Sequence, residues 1–208
     1  PYPPSTMALE AIRNAANESL RFYPDPEGTS LRETLAAYHD LRPEQFFLGN
    51  GSDEVLAMCF LAFFDPDRPV VFADITYSFY PVYARFFGQK YREIPLDENF
   101  ALPLEEYLGN NGGVVVANPN APTGRGVSLH ALREIVEGNP DVVVVVDEAY
   151  VDFGATSAVD MIHNYSNLVV VRTMSKSRSL AGLRVGYAMG DANLMEALNC
   201  VKNSINSY

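Results

Sequence analysis

Several things are scarce in this chain. Cysteine occurs only at Cys59 and Cys200, too rarely for a disulfide framework, and the pair fits a reducing compartment. Cys59 lies in the apolar helical stretch Leu56–Leu61, where a buried thiol is expected. Histidine occurs three times. His163 has no metal-ligand spacing to any cysteine or other histidine, so no metal site is expected. His39, at the end of a helical stretch, reads as a cap or a solvated residue, and His130 as an exposed first-turn residue. Lysine and arginine number 15 against 26 acidic residues, giving a net charge of −11. With no basic cluster to interrupt that acidity, nucleic acid is not expected as a partner. No apolar run is long enough to cross a membrane and no signal peptide opens the chain, so the expected location is cytoplasmic. Repeats, low-complexity tracts and linkers are missing too. The one glycine loop, Gly49–Ser52, lacks the spacing of a dinucleotide fingerprint and carries no P-loop lysine, which disfavours a nucleotide-binding domain.

What is present is a core. The chain has 208 residues, of which 48% are hydrophobic, enough for one α/β domain. Short apolar runs read as strands at 46–48, 69–73, 91–94, 113–117, 142–146, 168–171 and 185–189. Helical patterns alternate with them at 5–17, 30–39, 54–64, 79–87, 129–136 and 192–201, with a short one at 104–108. Ser5 and Ser128 stand where helix caps belong. Five consecutive valines, Val142 to Val146, imply a strand buried on both faces, as in a parallel sheet. The pattern predicts a three-layer α/β/α sandwich with a mostly parallel sheet of about seven strands.

The polar residues of interest fall at strand ends, the edge where open α/β sheets bind ligands. Gly49-Asn-Gly-Ser-Asp53 runs into a helix, so the amides of Ser52 and Asp53 could receive an anion; an ordinary turn capped by Ser52 or Asp53 is the plainer alternative. Tyr77 follows the second strand and could stack on a planar ligand, or simply join an aromatic packing stripe. Asn118-Pro-Asn-Ala-Pro-Thr-Gly124 makes a tight turn at a strand end. Asp147 and Glu148 follow the valines, where burial is costly without partners. Lys176 follows the next strand and Arg184 comes eight residues later. A lysine and an aspartate at one sheet edge point to carbonyl–amine chemistry on an aromatic cofactor.

Asn118-Pro-Asn-Ala-Pro-Thr-Gly124, Asp147-Glu-Ala-Tyr150 and Ser175-Lys176 with Leu180-Ala-Gly-Leu-Arg184 closely resemble the fold-type-I pyridoxal-phosphate aminotransferases. Phe22-Tyr-Pro24, Gly49-Asn-Gly-Ser-Asp-Glu54, Thr76-Tyr-Ser78 and Asp147-Glu-Ala-Tyr-Val-Asp-Phe153 resemble the histidinol-phosphate aminotransferase branch. The resemblance covers the whole chain. It implies pyridoxal 5'-phosphate as cofactor and amino transfer between histidinol phosphate and 2-oxoglutarate. An aromatic aminotransferase, a phospho-amino-acid decarboxylase or a non-catalytic cofactor-binding fragment stay open.

By the same resemblance, Lys176 would carry the cofactor and move the proton, and Asp147 would pair with the pyridinium nitrogen. Tyr150 would bond the ring's phenolic oxygen and Tyr77 would stack on its face. The phosphate would rest on Ser52, Asp53, Ser175 and Arg184, with Tyr23 reaching the phosphate of the partner subunit in a homodimer. One position departs from the pattern: Ala121 stands where an asparagine usually precedes Pro-Thr-Gly, so either Asn120, one place earlier, takes over its contact, which is the expectation, or Tyr150 supplies it alone. Residues 1–208 are expected to form the cofactor-binding large domain. The chain begins without methionine and stops just after a helical pattern, so the family's smaller C-terminal domain, with its substrate-side arginine, is expected outside it.

Overall fold

The computed structural model describes residues 2–205. Its strands are β1 (Phe46–Asn50), β2 (Val70–Ala73), β3 (Tyr91–Ile94), β4 (Gly113–Ala117), β5 (Val144–Asp147), β6 (Leu168–Thr173) and β7 (Val185–Gly190). They form one seven-stranded sheet in the order β1-β7-β6-β5-β4-β2-β3. Strands β3, β2, β4, β5 and β6 pair in parallel, while β7 runs antiparallel to both β6 and β1. The expected sandwich with a mostly parallel sheet is therefore present, with one reversed strand.

The valine runs set the layers. Successive side chains of a strand point to opposite faces. Val114, Val116, Val144, Val146, Leu168 and Val170 pack into one apolar cluster. Val115, Val145, Val169 and Val171 pack into the other. Helices α2 (Thr29–His39) and α5 (Leu129–Glu137) cover the first face with Leu35, Leu132, Ile135 and Val136. Helices α3 (Ser52–Phe63), α4 (Tyr80–Phe86) and α6 (Ala192–Ile205) cover the second with Val55, Phe60, Tyr80, Met195 and Leu198. No helix among the described residues is long and apolar enough to span a membrane.

Local signals act as the residue types predict. Ser5 caps α1 (Thr6–Ala15) by accepting the Ala8 amide at 3.2 Å, and Ser128 caps α5 by accepting the Ala131 amide at 3.2 Å. Two elements depart from the simplest picture. Helix α1 buries none of its residues, and Met7 is 79% exposed. Ala8 and Leu9 are half-buried, while Met7 and Ile12 stay exposed. His39 is neither a cap nor solvated: it is half-buried and shares a hydrogen bond of 3.1 Å with the Tyr187 hydroxyl. Burial, with Arg172 and Arg178 nearby, lowers its pKa to about 4.

Candidate active site

Strand direction decides which residues meet. β1, β2, β4, β5 and β6 all end at one edge of the sheet. Because β7 runs the other way, it starts at that edge, and Arg184, the residue before it, arrives there too. Asp147 closes β5 between Ala117 of β4 and Val171 of β6. A cavity of about 180 Å³ opens here, lined by Ser52, Asp53, Tyr77, Asp147, Tyr150, Ser175, Lys176 and Arg184, with Ala121 and Pro119 in its wall.

Asp147 forms the floor. Its Oδ2 accepts the Tyr80 hydroxyl at 2.7 Å and its Oδ1 accepts the Ala149 amide at 3.0 Å. Burial raises its pKa, and the Asp53 charge adds to that; the Tyr80 and Ala149 hydrogen bonds and the Lys176 charge oppose it. Among the described residues this carboxylate has no ion-pair partner, and the cavity is where a cation can approach. Glu148 points to the other face, as the alternation of a strand requires. There it meets Arg172 at 2.9 Å, the Ser157 hydroxyl at 2.8 Å and the Ala158 amide at 2.6 Å. The acidic pair thus divides into a site residue and a buried structural ion pair.

Lys176 sits in the turn after β6, its Nζ 5.1 Å from the centre of the Tyr150 ring. It makes no ion pair among the described residues. Tyr77 donates its hydroxyl to Asp53 Oδ1 at 2.5 Å, and Arg184 Nη2 lies 3.5 Å from Asp53 Oδ2. Ser175 Oγ accepts the Thr173 hydroxyl at 3.0 Å.

The α3 N-terminus differs from the plainer expectation. The cap residue is Gly51, not Ser52 or Asp53, and no side chain caps the first turn. Gly51 has φ +83°, a conformation that favours glycine, and a Cβ there would lie 2.4 Å from Arg184 Nη2. The first-turn amides and the helix dipole are left for an anion, with a guanidinium beside them.

Asn120 is not brought into this cavity. Its Nδ2 donates to the Ile75 carbonyl at 2.7 Å and to Thr123 Oγ1 at 3.2 Å. It lines a neighbouring cavity of about 500 Å³ instead, and its buried Oδ1 has no partner among the described residues. Ala121 takes the place in the wall near Lys176. Tyr23 lies in an exposed loop and is not among the lining residues. Tyr80 is the residue that sequence reading passed over: it looks like one more ring in an aromatic helix. The available signal was its hydroxyl, which a buried tyrosine must satisfy somewhere.

An α/β sheet with a lysine, a buried aspartate and an uncapped helix N-terminus at one edge has the layout of a cofactor-dependent transferase. The chain belongs to the class I and II aminotransferase family, whose sequence profile matches residues 1–207. It is 55% identical over 211 residues to histidinol-phosphate aminotransferase of Acinetobacter baumannii strain SDF, covering 100% of this chain and 58% of that protein. It is 53% identical over 208 residues to the like-named protein of Clostridium botulinum strain Hall, covering 100% of this chain and 59% of that one. Among solved structures, histidinol-phosphate aminotransferase from Sinorhizobium meliloti in complex with pyridoxal-5'-phosphate superposes with a TM-score of 0.88 at 26% identity. That match covers 97% of this chain and 56% of the other. The chain spans less than two thirds of the length of the curated relatives it matches.

Proposed function

We propose that residues 1–208 form the cofactor-binding large domain of a pyridoxal-phosphate-dependent aminotransferase. Its reaction would carry the amino group of histidinol phosphate to 2-oxoglutarate, yielding imidazole-acetol phosphate and glutamate. The substrate assignment draws on the 53–55% identity to two proteins of that name. The single observation that carries the chemistry is that Asp147 and Lys176 line one cavity, with the first buried and the second free of ion pairs among the described residues.

The residues fit the cofactor. When bound, it supplies a protonated aromatic ring that accepts the electron pair of a substrate carbanion. Asp147 would hold the ring nitrogen in its protonated form, and a cation there offsets the cost of burying the carboxylate. Lys176 Nζ would attach the cofactor and, once released, hold and move a proton at that same atom. Tyr150 would donate to the ring oxygen alone, since the Asn120 amide is engaged elsewhere. Tyr77 would form a wall against the ring face. The Ser52 and Asp53 amides, the Ser175 hydroxyl and Arg184 would hold the phosphate. Arg184, now 3.5 Å from Asp53, would exchange that contact for the phosphate.

The assembly would be a cytoplasmic homodimer in which Tyr23 reaches the phosphate of the partner subunit's site. A smaller domain beyond residue 208 would bring the substrate-side cation. The test is a visible-light titration of the purified chain with pyridoxal phosphate, then borohydride reduction and peptide mapping. A reducible adduct on Lys176, lost in Lys176→Ala, supports the cofactor assignment; labelling scattered over surface lysines overturns it. Assaying the full-length protein with histidinol phosphate against aromatic amino acids then decides the substrate.

A further inference from the structure

We infer that Tyr80 is a positioning residue for this chemistry: its hydroxyl, 2.7 Å from Asp147 Oδ2, donates to the carboxylate and orients it toward the cavity. The inference rests on the cofactor assignment proposed above.

Tyr80 opens α4 and is 0% exposed. Its ring is enclosed by Phe72 at 5.7 Å, Phe60 at 6.4 Å and Tyr77 at 5.6 Å, measured between centroids. The hydroxyl therefore has one direction in which to point, and Asp147 is its acceptor. Burial pushes the phenol far above its ordinary pKa, so it stays a donor throughout the working pH range. With the Ala149 amide on Oδ1 and Tyr80 on Oδ2, two directions around the carboxylate are filled. What remains free faces the cavity.

The other groups that act on Asp147 do not duplicate this. Asp53 opposes its ionisation and Lys176 favours it from across the cavity. Cys59, beneath it on α3, is a neutral thiol, because burial and Asp147 both raise its pKa. The Tyr77 hydroxyl is directed to Asp53. Tyr83 adds a further neutral phenol in the same apolar layer. Among the described residues, Tyr80 alone donates a side-chain hydrogen bond to the carboxylate. Without it the carboxylate would be more basic and would hold the ring nitrogen's proton less firmly on the ring, so the ring would draw less charge from the group attached at Lys176. The group attached at Lys176 would then keep its proton to higher pH.

The experiment uses the full-length protein loaded with pyridoxal phosphate. The pH midpoint of the visible band is measured in wild type, Tyr80→Phe, Asp147→Asn and the double variant, with Tyr83→Phe as control. Tyr80→Phe should raise the midpoint by about one pH unit, a roughly tenfold change in the protonation equilibrium. Tyr83→Phe should leave it in place, and Tyr80→Phe should add nothing in the Asp147→Asn background. An unchanged midpoint, or an equal shift in both backgrounds, overturns the inference while leaving the cofactor assignment standing. If wild type forms no adduct on Lys176, the assignment itself fails and Tyr80 loses its role with it. If Tyr80→Phe does not fold, the double variant decides: folding there supports the pairing, and failure in both overturns it in favour of packing alone.

Discussion

Gly186 of β7 lies so close to the start of α3 that a Cβ on it would sit 2.3 Å from both the Gly51 carbonyl carbon and the Ser52 nitrogen. Both neighbours are backbone, so neither can swing away. The two glycine-bearing segments lock the start of α3 against the strand that follows Arg184. Gly186→Ala is expected to cost about 1–3 kcal/mol through overpacking. It should also weaken pyridoxal phosphate binding roughly tenfold or more by displacing the Ser52 amide. Thermal unfolding and a cofactor titration check the two effects, and a variant with wild-type affinity would contradict the proposed phosphate seat.

Asp147 carries a cost in the cofactor-free chain. Its folded pKa is raised by burial, so the folded state binds more protons than the unfolded state just above the ordinary carboxylate range. Its contribution to stability is therefore greater at acid pH and falls as pH rises through the folded value. Asp147→Asn should stabilise the cofactor-free chain at neutral pH, by about 1–3 kcal/mol, while weakening cofactor binding. Denaturant unfolding with and without pyridoxal phosphate would reveal the opposite signs. Destabilisation of the cofactor-free Asn variant would count against a strained carboxylate.

His39 gives the opposite pH limb. Its pKa is about 4 in the fold, below the value of an unfolded histidine. Between roughly pH 6.5 and 4 the unfolded state binds more protons, so stability rises with pH across that window. The stability of neutral His39 is complete above the window and is lost on acidification. His39→Gln should flatten the acid side of an unfolding free energy against pH profile by on the order of 1–2 kcal/mol, measured by denaturant unfolding. An unchanged slope would show that His39 is not the group responsible.

The Arg172–Glu148 pair tests the structural half of the acidic dipeptide. Glu148 is 1% exposed and its pKa is raised by burial, with Arg172 the largest opposing influence. Arg172→Met leaves that carboxyl without its cation and is expected to cost about 3–5 kcal/mol. Adding Glu148→Gln should recover part of the loss, because no charge is then stranded. Chemical denaturation of the three variants measures the coupling, and strict additivity would dismiss the pair as a unit.

Much of the fold was legible because its causes are local. The valine runs at 113–117 and 142–146 mark strands buried on both faces, and Ser5 and Ser128 mark helix starts through hydrogen bonds within three residues. Lys176 and Asp147 stood out because a charge after an apolar run conflicts with its surroundings. Tyr80 produced no such conflict, since a tyrosine in an aromatic helix is ordinary until its hydroxyl finds an acceptor 67 residues away. Asn120 misled for a related reason. One residue along a tight turn reverses where a side chain points, and the motif does not say which way.

By itself the sequence determined the strands, the helices, the layer order and the residue types gathered at strand ends. Those follow from periodicity, capping and apolar content, which act over a few residues. The tertiary structure alone decided the direction of β7, which delivers Arg184 to the edge where Asp147 ends. It also decided the split of Asp147 and Glu148 between a cavity and an ion pair, and the contacts of Tyr80 with Asp147 and of His39 with Tyr187, 148 residues apart. Such contacts depend on how layers stack and on which buried polar group must find a partner. That demand is met only when the whole chain has closed around it.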